Sequence, residues 1–169
     1  MPWVTRPMIA AALVLAAISA AGPALADCSD AAAAGIDWSR CYLDGQKLKG
    51  ADLTGADLEG ASFTRADLTD ANLSNARAFA AKFISAKMSG TKFDGAKLER
   101  ADFTNGALAG ASFKNADLRR AKFFSADLRG ADFSGARSGG TDFYDAQLSG
   151  ATWFDGKKIC AEGSVGRCE

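Results

Sequence analysis

The chain contains no histidine. That removes the usual general base near neutral pH, and the serines show no partner pattern that would make one of them a nucleophile. No glycine-rich loop leads into a helical pattern, so nothing supports a phosphate cradle for a nucleotide. An excess of one charge is missing too: 20 Lys and Arg stand against 20 Asp and Glu, with the signs interleaved. A protein surface imitating duplex DNA would need dense negative charge, since DNA carries one charge per ~1.7 Å. The apolar run from Met8 to Ala21 is fourteen residues without a charge, short of the ~20 needed to cross a hydrocarbon core comfortably. Four cysteines are present, but they are split between the two ends of the chain and have no histidine to join them. A metal centre therefore has no support.

What the chain does have is a period of five. From Trp38 to Trp153 every fifth residue fills the same slot, beginning Trp38, Leu43, Leu48, Leu53, Leu58, Phe63 and continuing through twenty-four consecutive pentads without insertion or deletion. Only Ala78 and Ser138 lack a large apolar centre. Two residues before each centre stands a small one, usually alanine, as at Ala51, Ala56 and Ala61. Neither a helical period of 3.6 nor a strand period of 2 puts all these centres on one face. A fixed repeat of this kind indicates a solenoid whose units bury their apolar side only by stacking.

Ala51-Asp52-Leu53-Thr54-Gly55 and Ala66-Asp67-Leu68-Thr69-Asp70 carry a small residue, a polar one, a leucine and two variable positions. In this the chain resembles the pentapeptide-repeat family over residues 36–155. The resemblance implies an all-β fold, a right-handed quadrilateral β-helix in which four pentads close one coil, giving about six coils here. It also implies a narrow, solid core with no interior ligand cavity.

A second period supports four sides. At a spacing of twenty the centres sort into columns, one of them Leu43, Phe63, Phe83, Phe103, Phe123, Phe143 and another Leu48, Leu68, Met88, Leu108, Leu128, Leu148. A third runs Leu53, Leu73, Phe93, Phe113, Phe133, Trp153, and the last collects Trp38, Leu58, Leu98 and Leu118 with both defective centres. Phe and Leu are segregated by column, which a bare five-residue period does not require. On the first of these sides the outward slot reads Lys82, Asp102, Lys122, Asp142, placing opposite charges one coil apart. With coils ~4.8 Å apart, six would form a rod on the order of 29 Å long. The recurrent aspartates, Asp52, Asp57 and Asp67 among them, fall at the outward slot and read as solvated surface, with no catalytic pair among them. Glycines such as Gly50, Gly55 and Gly60 end pentads, where each corner turns.

Residues 1–26 read as a secretory signal peptide of the bacterial Sec type. Arg6 supplies the basic start, Met8–Ala21 the apolar stretch, and Ala24-Leu25-Ala26 a small-x-small cleavage site ahead of Asp27. The expected location is the periplasm or the extracellular space, with no stable membrane insertion after cleavage. Residues 27–35 form an N-terminal cap segment, 36–155 the β-helix and 156–169 a cysteine-containing C-terminal cap. Export favours disulfides, and four cysteines allow three connectivities. In the rod the two ends are several coils apart, while a disulfide needs Cα atoms within ~7 Å. The expected pairs are therefore Cys28–Cys41 and Cys160–Cys168, closing the two ends of the solenoid.

The expected function is a non-catalytic exported scaffold acting through protein–protein contact, with no cofactor, no metal, no nucleic acid and no small-molecule substrate. Ile84, Phe124 and Tyr144 are outward by phase on the phenylalanine-rich side and form the candidate partner surface. A basic cluster of Lys97, Arg100, Arg119, Arg120 and Arg137 is mixed with Glu99 and Asp117 and reads as a solvated face. Phe79, beside the small Ala78, can turn in or out. One alternative is a purely structural or self-associating β-helix, a homodimer through the same strip or an end. The other follows from the resemblance, since some members of that family mimic DNA and bind gyrase. Against it stand the balanced charge (19 basic residues to 20 acidic once Arg6 is removed) and the export signal.

Overall fold

The computed structural model describes residues 27–169; the expected signal segment and its cleavage site at Ala26 lie outside the described residues. From Gly35 to Gly150 every fifth residue has a positive φ, between 52° at Ser125 and 75° at Gly140. Each of these residues sits in a tight turn closed by a hydrogen bond from the N–H of the following residue to the carbonyl two residues before the turn residue. Examples are Ala56 N–H to the Leu53 carbonyl at 3.1 Å and Ala101 N–H to the Leu98 carbonyl at 3.0 Å. The chain thus bends at every pentad and returns above its starting point after four. Twenty parallel bridges join residue n to residue n+20, and the series Asp37, Asp57, Arg77, Lys97, Asp117, Arg137 counts six coils. The architecture is a right-handed quadrilateral β-helix. Its faces are numbered here from the pentad at 41–45, so face 1 carries 41–45, 61–65 and onward, face 2 starts at 46, face 3 at 51 and face 4 at 56.

The preference for Asp or Asn before each centre follows from hydrogen-bond accounting. In the pentad 71–75, Ala71 N–H bonds within the turn, Asn72 N–H reaches the coil above at Ala51, and Leu73 and Asn75 N–H reach the coil below at Lys92 and Asp94. Ser74 N–H is left over, and the Asn72 side-chain oxygen accepts it at 3.1 Å. Buried or half-buried amides need such partners. Asp52, Asp67, Asp102 and Asp132 do the same for Thr54, Thr69, Thr104 and Ser134. Where serine occupies the slot, at Ser62 and Ser112, the acceptor comes from the preceding coil. Asp44 takes Thr64 N–H at 3.0 Å and Asp94 takes Lys114 N–H at 3.2 Å, and each serine hydroxyl donates to the same carboxylate.

The core is filled in layers. On face 1, Phe83, Phe103 and Phe123 stack at 5.0 and 4.8 Å with planes within 7°. Phe93, Phe113 and Phe133 form a second stack on the opposite face 3, at 5.0 and 5.2 Å. The two stacks meet edge to face in the middle, for example Phe113 against Phe123 at 86°. This suits the ring quadrupoles and explains why phenylalanine occupies opposite columns while leucine fills the pair between them. Ala78 is fully buried, and Phe79 beside it lies at the surface with 38% exposure. Thr91 replaces alanine in a buried small slot, its hydroxyl donating to the Leu68 carbonyl at 2.7 Å.

Cys28 is bonded to Cys41 and Cys160 to Cys168, with Cα atoms 5.5 and 4.8 Å apart. After the last parallel bridge the chain folds back antiparallel, pairing Ile159 with Thr152 and Val165 with Gln147. This returning segment covers the lower edge on faces 2 and 3, with Cys160 N–H on the Ala151 carbonyl and Leu148 N–H on the Ser164 carbonyl. At the opposite end a cavity of about 240 Å³ opens among Cys28, Asp30, Trp38, Leu43 and Leu48. Leu48 is accordingly only half-buried.

Candidate interaction surface

With its middle packed solid, the rod presents chemistry only on its faces and ends. Among the described residues no group of three or more His, Cys, Asp or Glu side chains could hold a metal ion. Nor is any helix among them long and apolar enough to cross a membrane.

Face 1 carries the expected charge ladder, with Lys82, Asp102, Lys122 and Asp142 joined coil to coil by parallel bridges. Among the described residues these four side chains form no ion pair, which differs from the contact that their spacing suggested. Each acid turns one carboxylate oxygen to the backbone, Asp102 toward Thr104 N–H at 3.0 Å and Asp142 toward Tyr144 N–H at 2.9 Å. The lysines extend into solvent. Beside this ladder Phe124 and Tyr144 stack on one another, centroids 5.7 Å apart and planes within 5°. They are 41% and 70% exposed. Ile84, the third member of the candidate surface, is half-buried, and Thr104 separates it from Phe124. The exposed apolar area therefore centres on the aromatic pair and does not run as a strip from Ile84. Tyr42, 86% exposed at the outward slot of the first coil on the same face, is a surface aromatic that the sequence reading passed over. Its signal was an aromatic ring in a slot filled elsewhere on this face by serine, lysine or aspartate.

Face 4 holds the arginine cluster, and here the charges do meet. Arg119 grips Asp117 with two hydrogen bonds, at 2.8 and 2.7 Å, and reaches Glu99 at 3.2 Å. Arg137 approaches Asp117 at 3.8 Å, and Arg77 approaches Asp57 at 3.4 Å. The Arg119 side-chain hydrogen bond holds the Asp117 carboxyl below its ordinary range. Exposed pairs of this kind are worth ~0–1 kcal/mol, and the face is mixed and solvated. Arg100 and Arg120 stand at its corner with φ of 62° and 59°.

Two family models match the chain. The one described as a pentapeptide repeat region covers residues 56–133. The one described as pentapeptide repeats in eight copies covers residues 26–65 and 121–152, so together they span 26–152 without a gap. Among solved structures, the chain is similar to HetL, a pentapeptide repeat protein involved in heterocyst differentiation regulation in the cyanobacterium Nostoc sp. strain PCC 7120. The identity is 30% over 73% of this chain and 64% of HetL, with a TM-score of 0.46. It is also similar to QnrB1, a plasmid-mediated fluoroquinolone resistance protein, at 22% identity over 68% of this chain and 67% of the other, TM-score 0.45. A pentapeptide repeat protein of the Arabidopsis thaliana thylakoid lumen matches at 18% identity over 76% of this chain and 84% of its own, TM-score 0.31. The chain thus spans less than two thirds of the length of HetL. No curated protein matches it.

Proposed function

This chain belongs to the pentapeptide-repeat family, and on that premise we propose that it is an exported, non-catalytic scaffold that works by protein–protein contact on the outside of its rod. The observation that carries this reading is the stacked, solvent-facing pair Phe124 and Tyr144 on face 1. Exposed aromatics on a rigid, flat surface lose little conformational freedom when covered, and tyrosine is favoured at interface centres. The backbone carbonyls of Phe124 and Tyr144 accept Asn105 N–H and Ser125 N–H of the coils above at 2.9 and 3.0 Å, which preorganises the surface for docking. Export is supported by the basic, apolar and small-x-small order of residues 1–26, and the two disulfides suit an oxidising compartment.

The test is affinity capture from the periplasmic or secreted fraction, comparing the wild type with a Phe124→Ser/Tyr144→Ser variant. Loss of the captured proteins, with the melting curve unchanged, is the expected outcome. A folded variant that recovers the same proteins refutes the assignment of this surface. Amino-terminal sequencing of the exported chain should begin at Asp27; an uncleaved chain would overturn the export reading.

A further inference from the structure

The partner that face 1 fits best is another copy of itself: we infer that two chains pack face 1 against face 1, rods antiparallel, about a two-fold axis that crosses the rod between the Asp102 and Lys122 coils. This names a partner for the surface proposed above and rests on that reading.

Three observations lead here. First, the ladder Lys82, Asp102, Lys122, Asp142 has no ion partner within the described residues, whereas on face 4 Asp57, Glu99 and Asp117 pair with Arg77, Arg119 and Arg137. Face 1 therefore keeps its charges available. Second, the order of signs is self-complementary in one arrangement. An antiparallel two-fold sets Asp102 against Lys122 and Lys82 against Asp142 of the second copy, four attractive pairs in total. A parallel two-fold would set Lys82 against Lys82. Moving the axis half a repeat, onto the Asp102 coil, would oppose Lys82 to Lys122 and Asp102 to itself. Like charges brought face to face are disfavoured, so the pattern selects both direction and register. Third, the adjoining row falls into place under the same operator, because residues at equal heights along it exchange. Thr104 then meets Phe124 and Ile84 meets Tyr144, covering both exposed rings with residues that can pack against them. An isologous contact of this type closes on itself and does not propagate into a fibre.

The patch is small. Four coils at ~4.8 Å spacing make a strip on the order of 20 Å long, well below the ~800 Å² per partner of a standard interface. Association is accordingly weak and dominated by charge, which makes salt the decisive variable.

The experiment is sedimentation equilibrium of the chain from Asp27 onward with both disulfides intact, from micromolar to millimolar protein, at low and high salt. A monomer–dimer equilibrium is expected, weakened about tenfold or more by high salt. Asp102→Lys should abolish the dimer, because position 102 then faces Lys122 with the same sign. Asp102→Lys/Lys122→Asp should restore it, since that exchange rebuilds opposite signs only across the antiparallel contact. Thermal melts of each variant confirm that the rod is folded; should Asp102→Lys fail to fold, Lys122→Asp tests the same contact from the other side. A wild type that stays monomeric at millimolar concentration and low salt overturns the inference. So does a charge-reversed single variant that dimerises like the wild type, or an exchanged double variant no better than the single. A monomer that still captures other proteins through Phe124 and Tyr144 would sink the dimer alone. An intact dimer with unchanged capture by the ring-deleted variant would sink the broader reading.

Discussion

Replacing Phe103 by alanine probes the layered core where it is most constrained. The ring is fully buried. It stacks on Phe83 at 5.0 Å and Phe123 at 4.8 Å, and its sides meet Phe93 at 5.6 Å and Phe113 at 5.8 Å edge to face. Phe→Ala in a core typically costs ~3–5 kcal/mol, with the spread set by how far the site can collapse. Collapse is hindered here. The backbone at Phe103 is bonded to Lys122 at 2.8 Å, and that of Phe83 to Asp102 at 2.7 Å, so the coils above and below cannot close the gap without breaking a ladder. Aromatic pair terms of ~0.5–1.5 kcal/mol each add to the loss. The expectation is the upper part of that range, ~4–5 kcal/mol. Phe143, in the same column but half-buried near the cap, should cost clearly less. Urea unfolding followed by circular dichroism, with disulfides intact, measures both. With a slope of ~1–3 kcal/mol/M, the Phe103→Ala midpoint should fall by roughly 1.3–5 M. A loss under ~1 kcal/mol for Phe103→Ala, or one no larger than for Phe143→Ala, would refute a core that is stacked and unable to relax.

Other consequences follow from the corners, the small slots and the carboxylates. Ala80 occupies a left-handed corner at φ 54°, so Ala80→Gly should raise stability by ~1 kcal/mol, read as a higher urea midpoint. Gly106 stands in a small slot where an added Cβ would lie 2.9 Å from the Phe103 carbonyl and 3.0 Å from the Met88 methyl. Gly106→Ala should therefore cost ~1–3 kcal/mol in a thermal melt. Asp67 and Asp52 are held below the ordinary carboxylate range, first by the Thr69 and Thr54 hydroxyls and then by the backbone N–H of the same threonines. Their folded-state pKa is depressed, so their contribution is present above the unfolded value of ~3.9 and disappears as pH falls through the folded value. Stability measured against pH should stay level above about pH 5 and drop below about pH 4. Asp52→Asn/Asp67→Asn, which keeps an acceptor that cannot be protonated, should flatten that drop.

Much of this molecule is legible because its order is translational. A centre every five residues specifies a stacked solenoid, and Phe alternating with Leu from pentad to pentad, a period of ten, fits the four-sided coil that the family resemblance implies. One inserted residue would rotate every later centre out of the core, so the unbroken register from Trp38 to Trp153 is itself a geometric statement. The corner residues were less legible. Glycine at Gly50 or Gly55 announces a left-handed turn, but Arg40, Arg65, Ala80 and Ser125 adopt the same φ without any local signal. The ladder on either side of each corner imposes it on whatever residue falls there.

Two further features belonged to the tertiary structure alone. Phase places Ile84 and Tyr144 in one outward row, yet one is half-buried and the other 70% exposed, because exposure depends on what neighbouring coils place beside a side chain. Acidic and basic residues likewise share the outward slots of faces that behave differently. Asp102 and Asp117 both accept the backbone N–H two residues on, yet Asp117 is also clasped by the Arg119 side chain on face 4, while Asp102 has Thr104 at that position and forms no ion pair on face 1. A repeat carries one-dimensional information, enough to wind the coil. Which outward groups satisfy one another is settled only when neighbouring pentads bring donors and acceptors together in space, and that placement decides which outward charges pair within the rod.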